Sequence, residues 1–492
     1  MATTQKVVII GAGISGLACA YRLEQLGAQC LVLEAGAHAG GVVATSRQDG
    51  YLFELGPQCP RFPAPVWQLV KELQLENEFV AGDPAVKRYI FRHGVLHPAP
   101  FSPGGLLTTR LVGLWSKFRI LTEVLRPTQP PSQEETLAEF VTRKFGSDVV
   151  DNLADPIIST IFFGDAYKMG MESAFPRLVE WERSHGSLVR GAIRARNSNH
   201  RAVASDGEML SGPPKANSGS LKVTDALPSL GSFRSGMARL PERLAEELRE
   251  SIRYGVRVES VAQHKSDIRE SRGFWRVALA NSEIIRTDQV VLCVPAYEAA
   301  RMMASSAPAL ARELSAIEYA PMCAVSSGYD RRQVKNSLDG FGFMVPRKEG
   351  LKTVCTFWNS SLFPGRAPEG KVLMTSFVRR EPEEGSGTLD EEALARTVEV
   401  ENAAILGITG EPAVRNAWSH PRALPQYNVG HGKRVAAIRD FLPALSHLHL
   451  AGNYLKGRSI GDCVELAFEV AGNVHSRLCE TGVQAATHSS EE

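Results

Sequence analysis

The chain has 492 residues, 43% hydrophobic and 22% charged, the balance of a globular protein with a large core and length enough for about three domains. Its formal net charge is +1, and no basic stretch is interleaved with aromatics, which excludes nucleic acid as a partner. The eight cysteines form no CxxC pair and no metal-ligand spacing, so they read as small buried hydrophobes in a reducing compartment and no metal is expected. No apolar run reaches the length of about 18 residues that a transmembrane helix needs. The N-terminus enters an apolar run almost at once, so no signal peptide is expected. A cytoplasmic protein follows, with peripheral membrane contact left open.

Lys6 to Ile10 is a short β-branched run ending at a glycine, the mark of a buried strand. GAGISG follows, with Gly11, Gly13 and Gly16 in G-x-G-x-x-G spacing. Leu17, Ala20, Tyr21 and Leu23 then recur at helical spacing, with Gly27 as a stop. Cys30 to Leu33 is a second apolar run closed by Glu34. Gly11 makes the turn out of the strand, Gly13 lets backbone approach a pyrophosphate, and Gly16 lets the helix pack on the strand. The phosphates would sit on the helix N-terminus. Glu34 stands about 20 residues after Gly11, the offset of an acid that bonds a ribose hydroxyl, and an acid there disfavours NADP. With a strand before it, a helix after it and the acid at its end, this motif is a strong dinucleotide-binding signal.

Val66 to Leu75 reads as an amphipathic packing helix. Val86 to Pro100 reads as a hairpin turning at His93-Gly94, with Arg88 on its first strand. Leu106 to Leu125 is helical in pattern and rich in Leu, Trp and Phe; core packing is the expected fate of that apolar excess, with a lipid-touching surface as the alternative. Ser132 and Glu135 have the spacing of a capping box. The polar Asn197 to Gly231 stretch reads as an outside loop. A helix is expected to run to about Arg253, followed by strands at Val256 to Val261, Gly273 to Leu279 and Asp288 to Pro295. Ala320 to Val414 alternates like an antiparallel sheet except for a helical period from Leu389 to Leu406, and a strand at His447 to Ala451 leads into a helix near Gly461 or Asp462.

Beyond Glu34, the chain carries Gly40-Gly41 and then ELGPQ from Glu54 to Gln58. This start resembles the flavoproteins that include amine oxidases, carotenoid desaturases and protoporphyrinogen oxidases, and the resemblance implies FAD. Four stretches together are similar to the oxygen-dependent protoporphyrinogen/coproporphyrinogen oxidase family: IIGAGISGLACAYRL with ELGPQ, LDGFGFMVPRKEG, LPQYNVGH and LAGNYLKGRSIGDCVE. The likeness runs over nearly the whole chain except the polar loop, and GFGFMVP and PQYNVGH are its specific parts.

The resemblance implies an α/β fold: a discontinuous Rossmann-like FAD-binding domain (1–85, 232–296 and 430–480), a mixed-sheet α+β substrate domain (86–104 and 297–429), a helical insert (105–196), the polar loop (197–231) and a tail (481–492). It places FAD on Gly11, Ala12, Gly13, Ile14, Ser15, Gly16, Glu34, Ala35, Gly40, Gly41, Val42, Gly56, Pro57, Gln58, Cys59, Val258 (through its backbone, at the adenine), Ala451, Gly452, Gly457, Arg458, Ser459 and Ile460. Arg88 stands where the family binds a propionate; on residue type alone it would be a solvated strand position. Phe163 and Gly164 resemble the loop facing the macrocycle, and Phe341, Gly342, Met344, Phe357 and Phe377 would line the slot. Met344 and Phe357 stand where relatives often carry leucine, which leaves slot width open. The implied activity is oxidation of protoporphyrinogen IX by three hydride transfers to the flavin N5, with oxygen as acceptor and peroxide as product. No side-chain acid or base is implied.

Alternatives are coproporphyrinogen III, which extra cations such as Arg347, Lys348 or Arg458 near the cavity would favour; a flavin amine oxidase or desaturase; and a non-catalytic FAD scaffold. A homodimer is left open.

Overall fold

The computed structural model describes residues 3–83, 85–198, 230–264, 273–379 and 390–488, so most of the polar 197–231 stretch lies outside the described residues. The strand expected at Lys6 to Ile10 spans Thr3–Ile10. Val7 to Ile10 are at most 3% exposed, as a β-branched run must be when a parallel sheet is covered on both faces. This strand lies parallel to Cys30–Leu33 on one side and to Ile284–Leu292 on the other, and Leu448–Leu450 is parallel to Ile284–Leu292. The register sets Ile10 opposite both Leu33 and Leu292, and Leu292 opposite Leu450. Segments from the start, middle and end of the chain therefore finish at one level. Val258–His264, Phe274–Leu279 and Ile252–Arg253 complete this seven-stranded sheet. The helices Ile14–Gln25 and Ile460–His488 cover one face, and Ala296–Met303 and Pro308–Ser315 the other.

A second seven-stranded sheet runs in the order Val414–Pro425, Tyr319–Asp330, Lys371–Val378, Thr353–Phe357, Gly342–Met344, Arg88–Arg92, Val95–Pro98. Its pairings are antiparallel except for Gly342–Met344 with Arg88–Arg92, which are parallel. One face packs an apolar cluster around Tyr329, Phe343 and Trp358; the other packs Ile90, Met344, Cys355 and Phe377 against the insert. The fold is thus a discontinuous Rossmann-like unit joined to a mixed-sheet unit, as expected from the sequence.

Three expectations are corrected. The helix ahead of Arg253 ends at Glu247, because Ile252–Arg253 pairs with Val32 and Leu33 as an edge strand. The capping box is formed by Thr136 and Glu139 at the start of Leu137–Lys144, while Glu135 is bound by Arg143. The Leu106 to Leu125 stretch breaks into Pro103–Thr108, Leu114–Leu121 and a short 3-10 turn, Glu123–Leu125. Its polarity is inverted: Ser116 and Glu123 are buried, while Leu114, Trp115, Phe118, Leu121 and Leu125 are 84%, 68%, 54%, 57% and 73% exposed. Core packing does not account for these apolar side chains.

A buried ion cluster explains the inversion. Lys144 Nζ lies 2.8 Å from Glu182 and 3.4 Å from Glu123, all three at most 2% exposed. Arg143 adds a 2.8 Å pair to Glu182, and Glu123 also accepts from the Ser187 hydroxyl and the Leu188 N–H. The polar side of the 114–125 segment must turn inward to complete this cluster, since a buried charge without partners is costly. Burial pushes the Glu182 carboxyl up, but donation by Arg143, Lys144 and Thr128 outweighs it and holds the group at about 2. A depressed carboxyl stabilises the fold above its unfolded value and loses that contribution as pH falls. The melting temperature should therefore drop between about pH 4.5 and 2, a shift equivalent to about 3 kcal/mol at most. Glu182→Gln should be destabilised by about 3 kcal/mol at neutral pH and flatten that acid limb. A wild-type acid limb in Glu182→Gln, measured by thermal unfolding against pH, would contradict the assignment.

Candidate functional site

The aligned strand ends open a crevice at the carboxyl edge of the first sheet, where open α/β sheets take their ligands. Gly11 turns out of the strand at φ +101, and a Cβ there would lie 2.7 Å from the Cys293 carbonyl oxygen. A Cβ on Gly16 would lie 1.9 Å from the Gly11 oxygen, so helix and turn touch backbone to backbone. Gly13 differs: a Cβ there meets no protein atom within 4 Å, and its φ of −72 is ordinary. Its lack of a side chain serves no packing need and leaves space open in front of the helix Ile14–Gln25. That helix starts with no side-chain cap, so the first N–H groups, of buried Ile14 and Ser15, are offered to a ligand.

Glu34 ends the second strand with each carboxylate oxygen accepting one backbone N–H at 2.7 Å, from Ala12 and from Gly36. Gly40 donates its N–H to the Ala12 carbonyl at 2.8 Å and bridges Gly13, and Gly41 comes close enough that its Cβ would lie 3.4 Å from the Gly13 Cα. Ala35 and Val42 are exposed beside this pair. One open helix N-terminus for a pyrophosphate, a carboxylate at the ribose offset and a floor of glycine backbone fit a dinucleotide.

The second wall begins at the ELGPQ turn. Gly56 sits where a Cβ would be 2.0 Å from the Val42 oxygen, next to Pro57. Gln58 donates to the Glu54 and Gly56 carbonyls at 2.9 and 3.0 Å, and its own oxygen accepts from Asn359 at 2.8 Å. Burial pushes the Cys59 thiol up to about 12, with Arg88 and Arg366 opposing. At the chain's far end Ala451 donates to the Leu292 carbonyl, and Gly452 is packed on Tyr454. A Cβ on Gly457 would strike Asp462, whose N–H is capped by the Ser459 hydroxyl just before Ile460. Arg458 donates to the Ile161 carbonyl with its guanidinium 3.7 Å from the Phe162 ring centroid, and burial lowers it to about 10. Val258 is buried and its carbonyl accepts from Arg301 at 2.7 Å.

Arg88 opens an aromatic ladder across the inner face of the second sheet. Its guanidinium lies 4.7 Å from the Phe341 ring and 5.8 Å from Phe101. Phe341 to Phe357 is 5.4 Å, Phe357 to Phe377 5.7 Å, and Phe377 to Phe163 5.0 Å. Phe163 caps the helix Asp155–Phe162 in the left-handed region, at φ +49. A Cβ on Gly164 would lie 2.5 Å from Gln426 Oε1, and one on Gly342 1.9 Å from the Thr356 oxygen. Phe377 and Met344 are buried and back the slot, whereas Phe341, Phe357 and Phe163 are half-buried and present its surface. Burial pulls the Arg88 guanidinium down, with the Cys59 thiol opposing and Arg61 adding to it. Among the described residues Arg88 has no carboxylate partner.

Several contributors carried no readable role in the sequence. Trp418 extends the ladder 6.0 Å beyond Phe377, and His420 stands 5.5 Å further. Glu54 pairs with Arg366 at 3.0 Å, both 1% exposed. Gln426 and Tyr427, inside a stretch noted only for its specificity, touch both walls. No cluster of His, Cys, Asp or Glu suited to a metal exists among the described residues.

A glycine cradle at an open helix N-terminus, an acid at the ribose offset and an aromatic ladder define a dinucleotide-dependent oxidoreductase. Residues 14–475 match the family model of flavin containing amine oxidoreductases. The chloroplastic protoporphyrinogen oxidase of Nicotiana tabacum is 32% identical over 486 residues, covering 95% of this chain and 85% of that protein. Coproporphyrinogen III oxidase of Bacillus subtilis is 27% identical over 478 residues, covering 93% and 95%. A crystal structure from Exiguobacterium sp. 255-15 superposes with a TM-score of 0.76 at 25% identity, covering 97% of this chain and all of that one. The chain belongs to the flavin containing amine oxidoreductase family, and its cofactor is FAD.

Because a Cβ on Gly13 would meet no protein atom within 4 Å, Gly13→Val should fold and purify without flavin. Its melting temperature should match that of wild-type protein stripped of FAD. A stoichiometric flavin spectrum in this variant would overturn the pyrophosphate assignment.

Proposed function

We propose that this enzyme oxidises protoporphyrinogen IX to protoporphyrin IX, as the name of its tobacco relative suggests. The observation that carries the reading is Arg88: a half-buried guanidinium with no carboxylate partner among the described residues, at the head of an aromatic slot. A cation so placed calls for an anionic ligand, and the slot calls for a flat apolar one. A tetrapyrrole bearing a propionate supplies both.

The chemistry that bound FAD supplies is acceptance of three hydrides at N5 and return of the electrons to oxygen as peroxide. The chain's own residues bind and orient. Gly11 to Gly16, Glu34 and Gly40-Gly41 hold the nucleotide end; Gly56 to Cys59 and Ala451 to Ile460 flank the ring end. Arg88 fixes the propionate while Phe341, Phe357 and the Phe163–Gly164 loop flank the macrocycle and keep water from it.

Protoporphyrinogen is favoured over coproporphyrinogen because the extra cations are already committed. Arg347 lies 3.7 Å from Asp155 and 3.9 Å from Asp165, Lys348 2.6 Å from Asp151, and Arg458 is bound to the Ile161 carbonyl. Each already holds a partner, so two further propionates would have to compete for it.

The exposed Leu114, Trp115, Phe118, Leu121 and Leu125 further support peripheral contact with a lipid surface. Trp115 and Phe118 stack at 5.6 Å, with Arg110 exposed beside them, and an apolar outer face with a basic flank suits a bilayer interface. No helix among the described residues is long and apolar enough to cross a membrane.

Arg88→Ala should raise KM for protoporphyrinogen about 10- to 100-fold, the worth of a charge-assisted pair, and leave FAD content unchanged. An unaltered KM would remove Arg88 from the substrate. Replacing Trp115 and Phe118 together by Asp should abolish co-sedimentation with anionic phospholipid vesicles and leave turnover in detergent-free buffer intact. Undiminished sedimentation would refute the lipid contact.

A further inference from the structure

The stretch Gln426 to His431 was singled out for its specificity, yet neither cofactor chemistry nor substrate binding uses it. It leaves the strand Val414–Pro425 and passes between the two walls of the site. On the substrate side, Gln426 Nε2 donates to the Phe162 carbonyl at 3.0 Å, and Gln426 Oε1 fills the space a Cβ on Gly164 would need. The Tyr427 carbonyl accepts from the Gly170 N–H at 2.8 Å, and Asn428 bridges Met169. On the flavin side, the Tyr427 hydroxyl donates to the Asn453 carbonyl, in the turn that follows Gly452.

His431 supports this arrangement. Its ring stacks on Tyr427 at 4.4 Å and 10°, and it faces the Tyr454 backbone. Tyr427 and His431 are 6% and 7% exposed. Below the turn, a Cβ on Gly452 would meet the ring of wholly buried Tyr454 at 2.6 Å. The Gly452–Tyr454 turn is therefore held between Tyr454 on one side and the Tyr427–His431 pair on the other. Two neighbouring residues, Gln426 and Tyr427, tie it to the Phe163–Gly164 loop.

We propose that Tyr427, supported by His431, is a positioning residue that sets the spacing between the loop facing the macrocycle and the turn facing the flavin ring. This rests on the reading of Gly452 as part of the flavin cradle and of Phe163–Gly164 as part of the substrate slot. A transfer between two bound molecules depends steeply on their separation, and a displacement of about 1 Å can cost about a hundredfold in rate. The hydroxyl is spent on the Asn453 carbonyl, so its removal acts on the placement of that turn and through it on rate.

Tyr427→Phe deletes that hydroxyl and keeps the stack on His431. Its kcat for protoporphyrinogen should fall about 10- to 100-fold with KM within about twofold of wild type and FAD stoichiometry unchanged. The visible circular dichroism of the bound flavin should change, and FAD should dissociate faster in chaotrope. Wild-type kcat together with a wild-type flavin dichroism spectrum would overturn the proposal, as would a loss confined to KM. His431→Phe, which keeps the stack and loses the N–H, should shift kcat and dichroism in the same direction; His431→Gln, which keeps a donor but loses the ring, should recover part of both. If Tyr427→Phe does not accumulate as holoprotein, the His431 pair decides, and identical behaviour of Phe and Gln there counts against the proposal. If the wild-type holoprotein oxidises no porphyrinogen, the substrate reading fails while the dichroism and release rate still report on the positioning.

Discussion

The two halves of the site are joined by a buried ion pair. Glu54, at the head of the ELGPQ turn, meets Arg366, from the loop ahead of the strand Lys371–Val378. Burial raises the Glu54 carboxyl; Arg366, the Thr45 hydroxyl and the Met237 N–H oppose it and keep a charged partner in place. Ser232 accepts a further bond from Arg366. Breaking such a pair from one side strands a charge in the core, at a cost of about 3–5 kcal/mol. Four residues on, Gln58 binds Asn359, just past the Phe357 strand. The ELGPQ turn is thus pinned to the second sheet's connections at two points.

That constraint explains why the cofactor segments are scattered along the chain. The carboxyl ends of Thr3–Ile10, Ile284–Leu292 and Leu448–Leu450 must meet at one level to form the crevice, while the slot must open directly across it. The helical insert is the third support. Its charged interior around Glu182 and Lys144 turns the 114–125 segment inside out, and its Phe162–Gly164 end is bound by Gln426. The same insert therefore presents an apolar face outward and the Phe163–Gly164 loop inward.

Much of this was legible in the sequence, and the reason is local. GAGISG and Glu34 act through backbone geometry over a few residues, so residue type and spacing suffice. The alternation from Ala320 to Val414 follows from strand period, and the helix Glu391–Leu406 within it from its 3.6-residue repeat. Failures came where long-range partners decide. Apolar periodicity in 106–125 signals a buried helix unless something polar claims the inside, and Lys144 and Glu182 are too distant in sequence to announce themselves. Ser132–Glu135 has capping-box spacing, but Arg143 takes Glu135 and the helix begins at Leu137. Arg366, Asn359 and Trp418 reach the site only through the sheet register, and the role of Tyr427 depends on a carbonyl 26 residues away.

The most direct test of the account is turnover. Purified protein carrying its own flavin is given freshly reduced protoporphyrinogen IX and coproporphyrinogen III separately, in air, and porphyrin fluorescence and oxygen uptake are followed against the non-enzymatic rate. The account requires faster formation of protoporphyrin, with one oxygen consumed for each of three oxidations. Preference for coproporphyrinogen would contradict the assignment of Arg347, Lys348 and Arg458 as already committed cations. Failure to oxidise either compound with FAD bound would contradict the reading of the aromatic slot and Arg88 as a tetrapyrrole site.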